Sequence, residues 1–290
     1  MRVLTFRAGE ETHLGIATDE GVIDITARVP ALNGLRGVLR EAALPRLREV
    51  SANASPDHGL DEIEYLPPVP DAERIICIGV NYVNRNAEYR DDSDLPRYPS
   101  VFLRTRESMV GHQRPIVRPH ESEQLDYEGE IAMIIGKEGR RISEANAHEY
   151  IAGLTLLNEG TIRDWVRHGK FNVTQGKNFE HTGSFGPWMV TSDAFGHAYD
   201  DLRVMTRVNG ETRQDDTTDH LLFPFTYLIS YLSTFMRLKP GDVISTGTPN
   251  GSGARLDPPQ YLIPGDVVEV ESPLIGVLRN EVVSEAEIDG

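Results

Sequence analysis

The feature that most constrains the fold is a series of short apolar segments that follows residue 74. These segments occur at uneven spacing, and each has the length of a buried strand: IICIGV, VFLR, IAMIIG, LTLLN, PWMV, VISTG and VVEVES. One long helix is predicted among them, over residues 219–236, with Asp219 as its N-cap unless Pro224 moves the start to about residue 222. Because strands do not alternate with helices, a doubly wound sheet is disfavoured and a β-rich α+β fold is predicted.

The first part of the chain is predicted to be a small N-terminal α+β domain, residues 1–70. Residues 1–26 hold three stretches with apolar residues two apart, separated by glycine-containing turns, which indicates a β-meander. Residues 35–50 are typical of a short helix that a proline interrupts. Residues 51–74 are polar and then proline-rich, as in a linker. The sequence therefore predicts a second, larger domain over residues 74–290.

Composition excludes several classes of function. The chain has 290 residues and a net charge of −16, which argues against nonspecific binding to nucleic acid. No apolar run approaches the roughly 20 residues that span a bilayer, and the N-terminus lacks the apolar core of a signal peptide. A single cysteine, Cys77, rules out an intrachain disulfide framework. We therefore expect a soluble cytoplasmic protein without a membrane or nucleic-acid partner.

Three carboxylates alternate along the segment that leads into the apolar run IAMII. They are Asp126, Glu128 and Glu130, and in an extended strand they would share one face. Like charges this close repel, and burial strengthens the repulsion, so a positive partner is required. The alternative is that the pair Glu128 and Glu130 lies on the solvated face of an edge strand, where isolated charged pairs are usually found.

A metal site would provide that positive partner. Glu128 and Glu130 offer two hard oxygen ligands, and Glu159 offers a third at the end of the apolar segment LTLLN. Carboxylate oxygens suit Mg²⁺, Mn²⁺ or Ca²⁺, and the scarcity of nearby cysteine and histidine argues against zinc.

Several motifs along residues 74–283 resemble those of the fumarylacetoacetate hydrolase family. In chain order they are GVNY, DYEGEIAMIIGK, RDW, QGKNF, FGPWMV, VNGETRQ and GDVISTGTPNGSG. The resemblance implies a rolled mixed β-sandwich, usually a homodimer, with a small N-terminal domain in many members. It implies that Glu128 and Glu130 are metal ligands, and that Glu159 replaces the aspartate that is normally the third ligand.

The resemblance also implies a binding site for a small anionic 2-oxo acid. Lys177 matches an active-site lysine, Arg163 an arginine of the site, and Thr248 a loop that holds a substrate carboxylate. Arg104 matches a position that is often lysine. Mg²⁺ or Mn²⁺ would chelate the carboxylate and 2-oxo oxygens, and the cationic side chains would neutralise the remaining charge.

One departure from the family concerns the catalytic base. Arg85 stands where hydrolytic members usually have a histidine, and Glu88 matches the glutamate that pairs with it. Arginine stays protonated and is not a base. The base is then Glu88 alone, a histidine from elsewhere (His112, His168 and His181 are nearest to the motifs), or metal-bound water, unless the reaction uses no hydrolytic water. We expect Arg85 to bind a substrate carboxylate.

Three functions remain open from the sequence. The first is a divalent-metal-dependent hydrolase that cleaves a C–C bond in a 2-oxo or 2,4-dioxo acid of the acylpyruvate type, with Lys177 and the metal stabilising an enolate and Glu88 as base. The second is a decarboxylase or a keto–enol or double-bond isomerase that acts on an unsaturated 2-oxo or 2-hydroxy diacid through the same enolate. The third is a catalytically inactive binding protein, which a failure to bind metal would support.

Overall fold

The structure is a computed structural model that describes residues 1–84, 94–170 and 172–288. Arg85 and Glu88 lie outside these residues. The strands are β1 (Arg2–Ala8), β2 (Glu11–Ala17), β3 (Val22–Asp24), β4 (Glu64–Tyr65), β5 (Ile75–Ile78), β6 (Val101–Arg104), β7 (Met109–Val110), β8 (Ile116–Arg118), β9 (Leu125–Asp126), β10 (Gly129–Ile135), β11 (Ile151–Asn158), β12 (Thr161–Ile162), β13 (Gly183–Thr191), β14 (Arg203–Val208), β15 (Glu211–Thr217), β16 (Val243–Ser245), β17 (Val267–Ser272) and β18 (Gly276–Ser284). The α-helices are α1 (Ile25–Arg28), α2 (Leu35–Arg40), α3 (Leu44–Ser51), α4 (Glu144–Ala147), α5 (Thr174–Lys177) and α6 (Phe225–Phe235).

Two mixed sheets form the body of the protein. The larger has the order β3-β2-β1-β13-β11-β10-β16-β5-β6, and the smaller has the order β15-β14-β17-β18-β8. Strands β10, β11 and β13 of the larger sheet pack against β14, β17 and β18 of the smaller one. Apolar side chains from both sheets meet in one core, as Met133 and Leu156 do with Val270. This arrangement confirms the predicted β-rich α+β fold built on a mixed β-sandwich.

The predicted N-terminal meander is present as β1, β2 and β3. It is continuous with the larger sheet, because β1 pairs with β13 through Arg2↔Val190 and Val3↔Met189. Its apolar side chains also share a core with β5 and β10. The division at residues 70–74 stays a prediction, but hydrogen bonds and core contacts cross it.

The long helix begins later than the sequence indicates. Helix α6 starts at Phe225 with Pro224 as its N-cap, and Asp219 lies in a separate 3₁₀ turn, where it accepts a hydrogen bond from the Asp201 amide. A helix that began at 219 would place Pro224 inside it, where proline lacks the N–H for the helical hydrogen bond. None of the helices in the described ranges is long and apolar enough to span a membrane.

Strand β10 is buried on both faces, which explains its uninterrupted apolar sequence. Ile131 and Met133 face α6 and the smaller sheet, whereas Ala132 and Ile134 face the N-terminal helices. The Glu130 side chain lies on the same face of β10 as those of Ala132 and Ile134, because the three residues are two positions apart. A strand in the middle of a sheet with both faces covered cannot leave a carboxylate solvated, so the edge-strand alternative for Glu130 is excluded.

Candidate active site

Antiparallel pairing of β10 with β11 brings the three glutamates together. The register sets Gly129 opposite Asn158, so the start of β10 lies beside the end of β11. The Glu159 amide donates to the Glu128 carbonyl at 2.8 Å, which fixes the chain just beyond the two strands. One carboxylate oxygen from each of Glu128, Glu130 and Glu159 lies within 4.8 Å of those of the other two, and all three residues are buried.

Two cationic side chains lie among these carboxylates. Arg163 donates from Nε to Asp126 Oδ2 and from Nη2 to Glu128 Oε1, both at 2.7 Å. Lys177 Nζ lies 2.6 Å from Glu128 Oε2 and 3.0 Å from Glu159 Oε1. Arg163 and Lys177 are therefore positive partners that the alternating carboxylates require.

Glu130 is held from the other side by β16 and the loop after it. The Ser245 hydroxyl and the Gly247 amide both donate to Glu130 Oε2. Burial raises the pKa of Glu130 well above its ordinary value, and the neighbouring Glu159 and Glu128 raise it further, although the two hydrogen bonds act in the opposite direction. The ionised form of Glu130 is thus disfavoured in the metal-free protein.

Lys177 ends the four-residue helix α5 and is buried. Burial acts to lower its pKa, but the carboxylates of Glu128 and Glu159 outweigh burial and hold the pKa above its ordinary value. Its Nζ also lies 5.3 Å from the centre of the Phe102 ring. Lys177 is therefore an ammonium ion, a donor and a charge rather than a base.

Arg104 and Thr248 make contacts within the protein. The buried Arg104 guanidinium donates to the Gly160 carbonyl at 2.8 Å and to the hydroxyls of Ser108 and Thr182. The Thr248 hydroxyl donates to the Gly129 carbonyl and accepts from Gln214 Nε2. Both residues line the cavity, but these groups already support main chain near the glutamates.

A cavity of about 1110 Å³ opens onto the glutamates. Its wall includes all three glutamates, the predicted catalytic residue Lys177, and the predicted substrate-binding residues that the structure describes: Arg104, Arg163 and Thr248. Apolar side chains, among them Ile78, Val80 and Phe102, form another part of the wall. The arrangement has a charged region at the carboxylates and an apolar surface beside it.

Three polar residues at the site were assigned no role from the sequence. Ser245 bonds Glu130, the Asn158 side chain accepts from the Glu128 amide at 3.0 Å, and Gln214 Oε1 accepts from the Gly129 amide at 2.9 Å. Gln214 also reaches the loop that follows β16, through Thr248 and Pro249. Ser245 and Gln214 lie inside motifs that resemble the family, and Asn158 directly precedes Glu159, but their contacts are long-range and had no local pattern.

Within the described ranges, no histidine contributes to the wall of this cavity. His168 and His181 are exposed, and His168 packs on Trp165. His112 packs edge-on against Tyr65 and accepts a hydrogen bond from the Arg279 amide. None of these three is therefore positioned as the base at the glutamates.

His112 makes a pH-dependent contribution to stability. Burial, with a smaller effect of Arg279, lowers the pKa of His112 from 6.5 to about 4. The unfolded chain therefore binds the proton first, and this contribution is complete above about pH 6.5 and is lost as the pH falls towards 4. We expect the wild type to lose roughly 2–3 kcal/mol more than His112→Gln between pH 7 and 4. Urea unfolding at several pH values measures this difference, and parallel curves for the two proteins would contradict it.

The donor set fits a hard divalent cation. Glu159 Oε1 is buried and accepts no hydrogen bond from the described residues, although Lys177 lies beside it in an ion pair. A bound cation would favour the ionised form of Glu130, and the four carboxylates of Asp126, Glu128, Glu130 and Glu159 would then outnumber the cationic side chains of Arg104, Arg163 and Lys177. Oxygen-only ligation with excess negative charge is what Mg²⁺ and Mn²⁺ require.

Comparison with known proteins identifies the family of this chain. Residues 74–283 match the family model described as fumarylacetoacetate (FAA) hydrolase C-terminal. The chain is 36% identical over 292 residues to a human protein named oxaloacetate tautomerase FAHD2B, mitochondrial, covering 98% of this chain and 92% of the relative. It is 39% identical over 229 residues to oxaloacetate tautomerase YisK of Bacillus subtilis, covering 78% of this chain and 75% of the relative.

A solved structure also resembles this one. It is maleylpyruvate hydrolase from Sphingobium sp. SYK-6 in complex with manganese (II) ion and pyruvate. The TM-score is 0.80 at 25% identity, over 98% of this chain and 99% of the other. Because the family model covers most of the chain and the human relative is matched over nearly its whole length, this chain belongs to the fumarylacetoacetate hydrolase family.

Proposed function

We propose that this protein is a divalent-metal-dependent enzyme that stabilises the enolate of a small 2-oxo acid. The reaction that fits best is keto–enol tautomerisation of a 2-oxo diacid such as oxaloacetate. The observation that carries the proposal is the Lys177 ammonium group between Glu128 and Glu159 at the wall of the cavity. Glu128, Glu130 and Glu159 would hold Mg²⁺ or Mn²⁺.

Lys177 would stabilise the charge that develops on the substrate. An ammonium group has three N–H donors, and the two carboxylates engage at most two of them. The remaining donor is available to the oxygen that becomes negative when a proton leaves the carbon next to the 2-oxo group. A fixed donor in a partly desolvated site stabilises such an oxyanion more than water does.

Arg163 would bind a substrate carboxylate. Its Nε and Nη2 are engaged by Asp126 and Glu128, whereas Nη1 makes no hydrogen bond with the described part of the protein, and the residue lines the cavity. The divalent cation, when bound, supplies a Lewis acid for the carboxylate and 2-oxo oxygens of the substrate. The apolar wall at Ile78, Val80 and Phe102 would exclude water from the remaining side.

Two observations favour tautomerisation over hydrolysis. Hydrolysis needs an activated water, and histidine is absent both from position 85 and from the described cavity wall. Two relatives at 36% and 39% identity carry the name oxaloacetate tautomerase. Moving a proton between carbon and oxygen adds no water to the product. Glu88 remains the predicted base for proton transfer, and Arg85 a predicted carboxylate-binding residue.

C–C hydrolysis of an acylpyruvate, the first choice from the sequence, is the second candidate. The solved relative named maleylpyruvate hydrolase supports it, because that protein has the same fold. Glu88 would then have to activate water without a histidine partner. The two candidates share the metal, Lys177 and the enolate, and they differ in the fate of the C–C bond.

A substrate panel with controlled metal tests the proposal. The metal-stripped protein is assayed with EDTA, Mg²⁺ or Mn²⁺ against enol-oxaloacetate, acylpyruvates and unsaturated 2-hydroxy diacids. Loss of the enol absorbance reports tautomerisation, and pyruvate release reports cleavage or decarboxylation. We expect metal-dependent tautomerisation at least about tenfold faster than any cleavage, a difference of about 1.4 kcal/mol in barrier height.

The opposite order of rates would make the protein a hydrolase, and pyruvate released from oxaloacetate would make it a decarboxylase. Glu88→Gln should then slow whichever reaction dominates, with little change in KM. If no acid reacts in any metal and the protein binds no Mn²⁺, the inactive binding protein is the correct assignment.

A further inference from the structure

Asp126 is the first carboxylate of the alternating segment, and metal ligation does not account for it. It is fully buried, and it lies outside the group of three glutamates whose oxygens converge. Its side chain instead accepts four hydrogen bonds. Oδ1 accepts from the amides of Tyr127 and Gly253, at 2.9 and 2.8 Å. Oδ2 accepts from Arg163 Nε at 2.7 Å and from the Ala254 amide at 3.0 Å.

The bond to Arg163 fixes the plane of a guanidinium group. The short ribbon of β9 and β12 sets Asp126 opposite Thr161, two residues before Arg163. Arg163 Nε then bonds Asp126 while Nη2 bonds Glu128, so two separate carboxylates hold the group. A planar group held at two of its three nitrogen atoms cannot rotate, and its third nitrogen keeps one direction.

The bonds to Gly253 and Ala254 tie the same carboxylate to the loop after β16. A Cβ on Gly253 would lie 1.9 Å from the Gln260 carbonyl oxygen and 2.8 Å from Asp126 Oδ1, so the close approach requires glycine. Thr248, which lines the cavity, belongs to the same loop. Asp126 therefore joins Arg163 to a loop that forms part of the cavity wall.

We propose that Asp126 is a positioning residue that acts through Arg163. It orients the guanidinium so that Nη2 holds Glu128 in place for the metal and Nη1 is presented to a substrate carboxylate. This inference rests on the proposed function for the identity of the substrate. The contacts with Asp126 exist in the metal-free protein and are testable there.

Asp126→Asn should abolish the orientation of the Arg163 guanidinium, although it replaces the carboxylate with an amide of almost the same shape. The amide oxygen can still accept from Tyr127 and Gly253. The amide NH₂ group would then face the N–H groups of Arg163 Nε and Ala254. Because all of these groups are donors, neither hydrogen bond could form. Arg163 loses its second anchor but keeps its bond to Glu128, and the guanidinium becomes free to rotate.

A double-mutant cycle tests whether Asp126 acts through Arg163. Asp126→Asn, Arg163→Met and the double variant are compared for the Mn²⁺ Kd by titration without substrate, and for KM and kcat. We expect Asp126→Asn to raise the Mn²⁺ Kd and KM about tenfold each, the size typical of residues that orient a metal ligand. The change in kcat should be smaller. Adding Asp126→Asn to Arg163→Met should change Kd and KM less than about twofold, because the effects of substitutions at two interacting residues do not add.

Asp164→Asn is the matched control, because Asp164 follows Arg163 in sequence but bonds the Ser122 hydroxyl from an exposed position. It should leave all three constants unchanged. If Asp126→Asn does not fold, Arg163→Lys breaks the same bridge from the other side, because lysine cannot span two carboxylates as a fork. The lysine variant should then show the same tenfold rises.

The Arg163 Nε–H signal in the ¹⁵N spectrum tests the contact without activity. It should exchange slowly with solvent in the metal-free wild type, disappear in Arg163→Met, and exchange rapidly in Asp126→Asn. An unchanged signal in Asp126→Asn, or equal effects of that substitution in both backgrounds, would overturn the inference. If the wild type neither binds Mn²⁺ nor turns over a 2-oxo acid, the proposed function fails, and this signal still decides whether Asp126 fixes Arg163.

Discussion

Lys177→Met should lower kcat by roughly 10²–10³, the loss found when one fixed donor to an oxyanion is removed. Methionine keeps most of the length and apolar volume of the side chain. The charge and the donor are lost. KM should change less than kcat, because under the proposed function Lys177 acts mainly on charge that appears in the transition state.

The same substitution should destabilise the metal-free protein by roughly 3–5 kcal/mol, because removing one member of a buried ion-pair cluster leaves part of the negative charge of its partners uncompensated. Those partners are Glu128 and Glu159, at 2.6 and 3.0 Å. Mn²⁺ should restore part of the loss by supplying positive charge. Urea unfolding with EDTA or Mn²⁺ measures both effects.

Lys137→Met is the control for this prediction. Lys137 forms an ion pair with Glu149 at 3.3 Å, but both side chains are about half exposed. An exposed pair of this kind contributes roughly 0–1 kcal/mol, so stability and kcat should hardly change. If Lys177→Met behaves like Lys137→Met, Lys177 is neither a structural counter-ion nor a catalytic group.

Glu130→Gln should have opposite effects on metal binding and on the stability of the metal-free protein. Losing one charged ligand of three should raise the Mn²⁺ Kd by roughly 10²-fold or more, because charge count sets affinity at such sites. Without metal, glutamine replaces a buried carboxyl group whose pKa is raised by burial and by Glu159 and Glu128, and so it removes the cost of ionising that group. The thermal midpoint in EDTA should therefore rise, by about 2–4 °C for each kcal/mol gained.

The stability gain of Glu130→Gln should depend on pH. A carboxyl whose pKa is raised on folding contributes most at low pH, and its contribution is lost as the pH rises above about 4.5. The difference between variant and wild type in EDTA should therefore grow from pH 5 to pH 8. With Mn²⁺ at a concentration that saturates the wild type, the order should reverse, because the wild type gains more stability from binding than the variant does.

Glu149→Gln serves as the exposed control and should show neither effect. A wild-type midpoint that ignores both EDTA and millimolar Mn²⁺ would contradict a metal site at these glutamates. A thermal midpoint in EDTA that is lower for Glu130→Gln than for the wild type would contradict repulsion among the three glutamates.

Local patterns in the sequence were sufficient to predict most of the secondary structure. Period-two apolar residues predicted the meander β1–β3, and the apolar runs predicted β5, β10 and β11. Both patterns arise within one strand, from its pleat and its burial, so neighbouring residues carry the whole signal. The predicted start of α6 was wrong. Asp219 is a residue type that often caps helices, but Pro224 determines where the helical hydrogen bonds begin. The four-residue helices α4 and α5 are too short to leave a periodic pattern.

The sequence by itself determined that three carboxylates alternate before a buried strand, that a third glutamate ends another, and that positive charge must compensate them. Only the tertiary structure decided how. The register of β10 against β11 placed Glu159 beside Glu128, although 31 positions separate them in the sequence. The pairing of β9 with β12 placed Arg163 next to both Asp126 and Glu128, and helix α5 placed Lys177 next to Glu128. Strand pairing and ion pairing over such separations depend on chain closure and on the dielectric of the assembled interior, which local residue patterns do not encode.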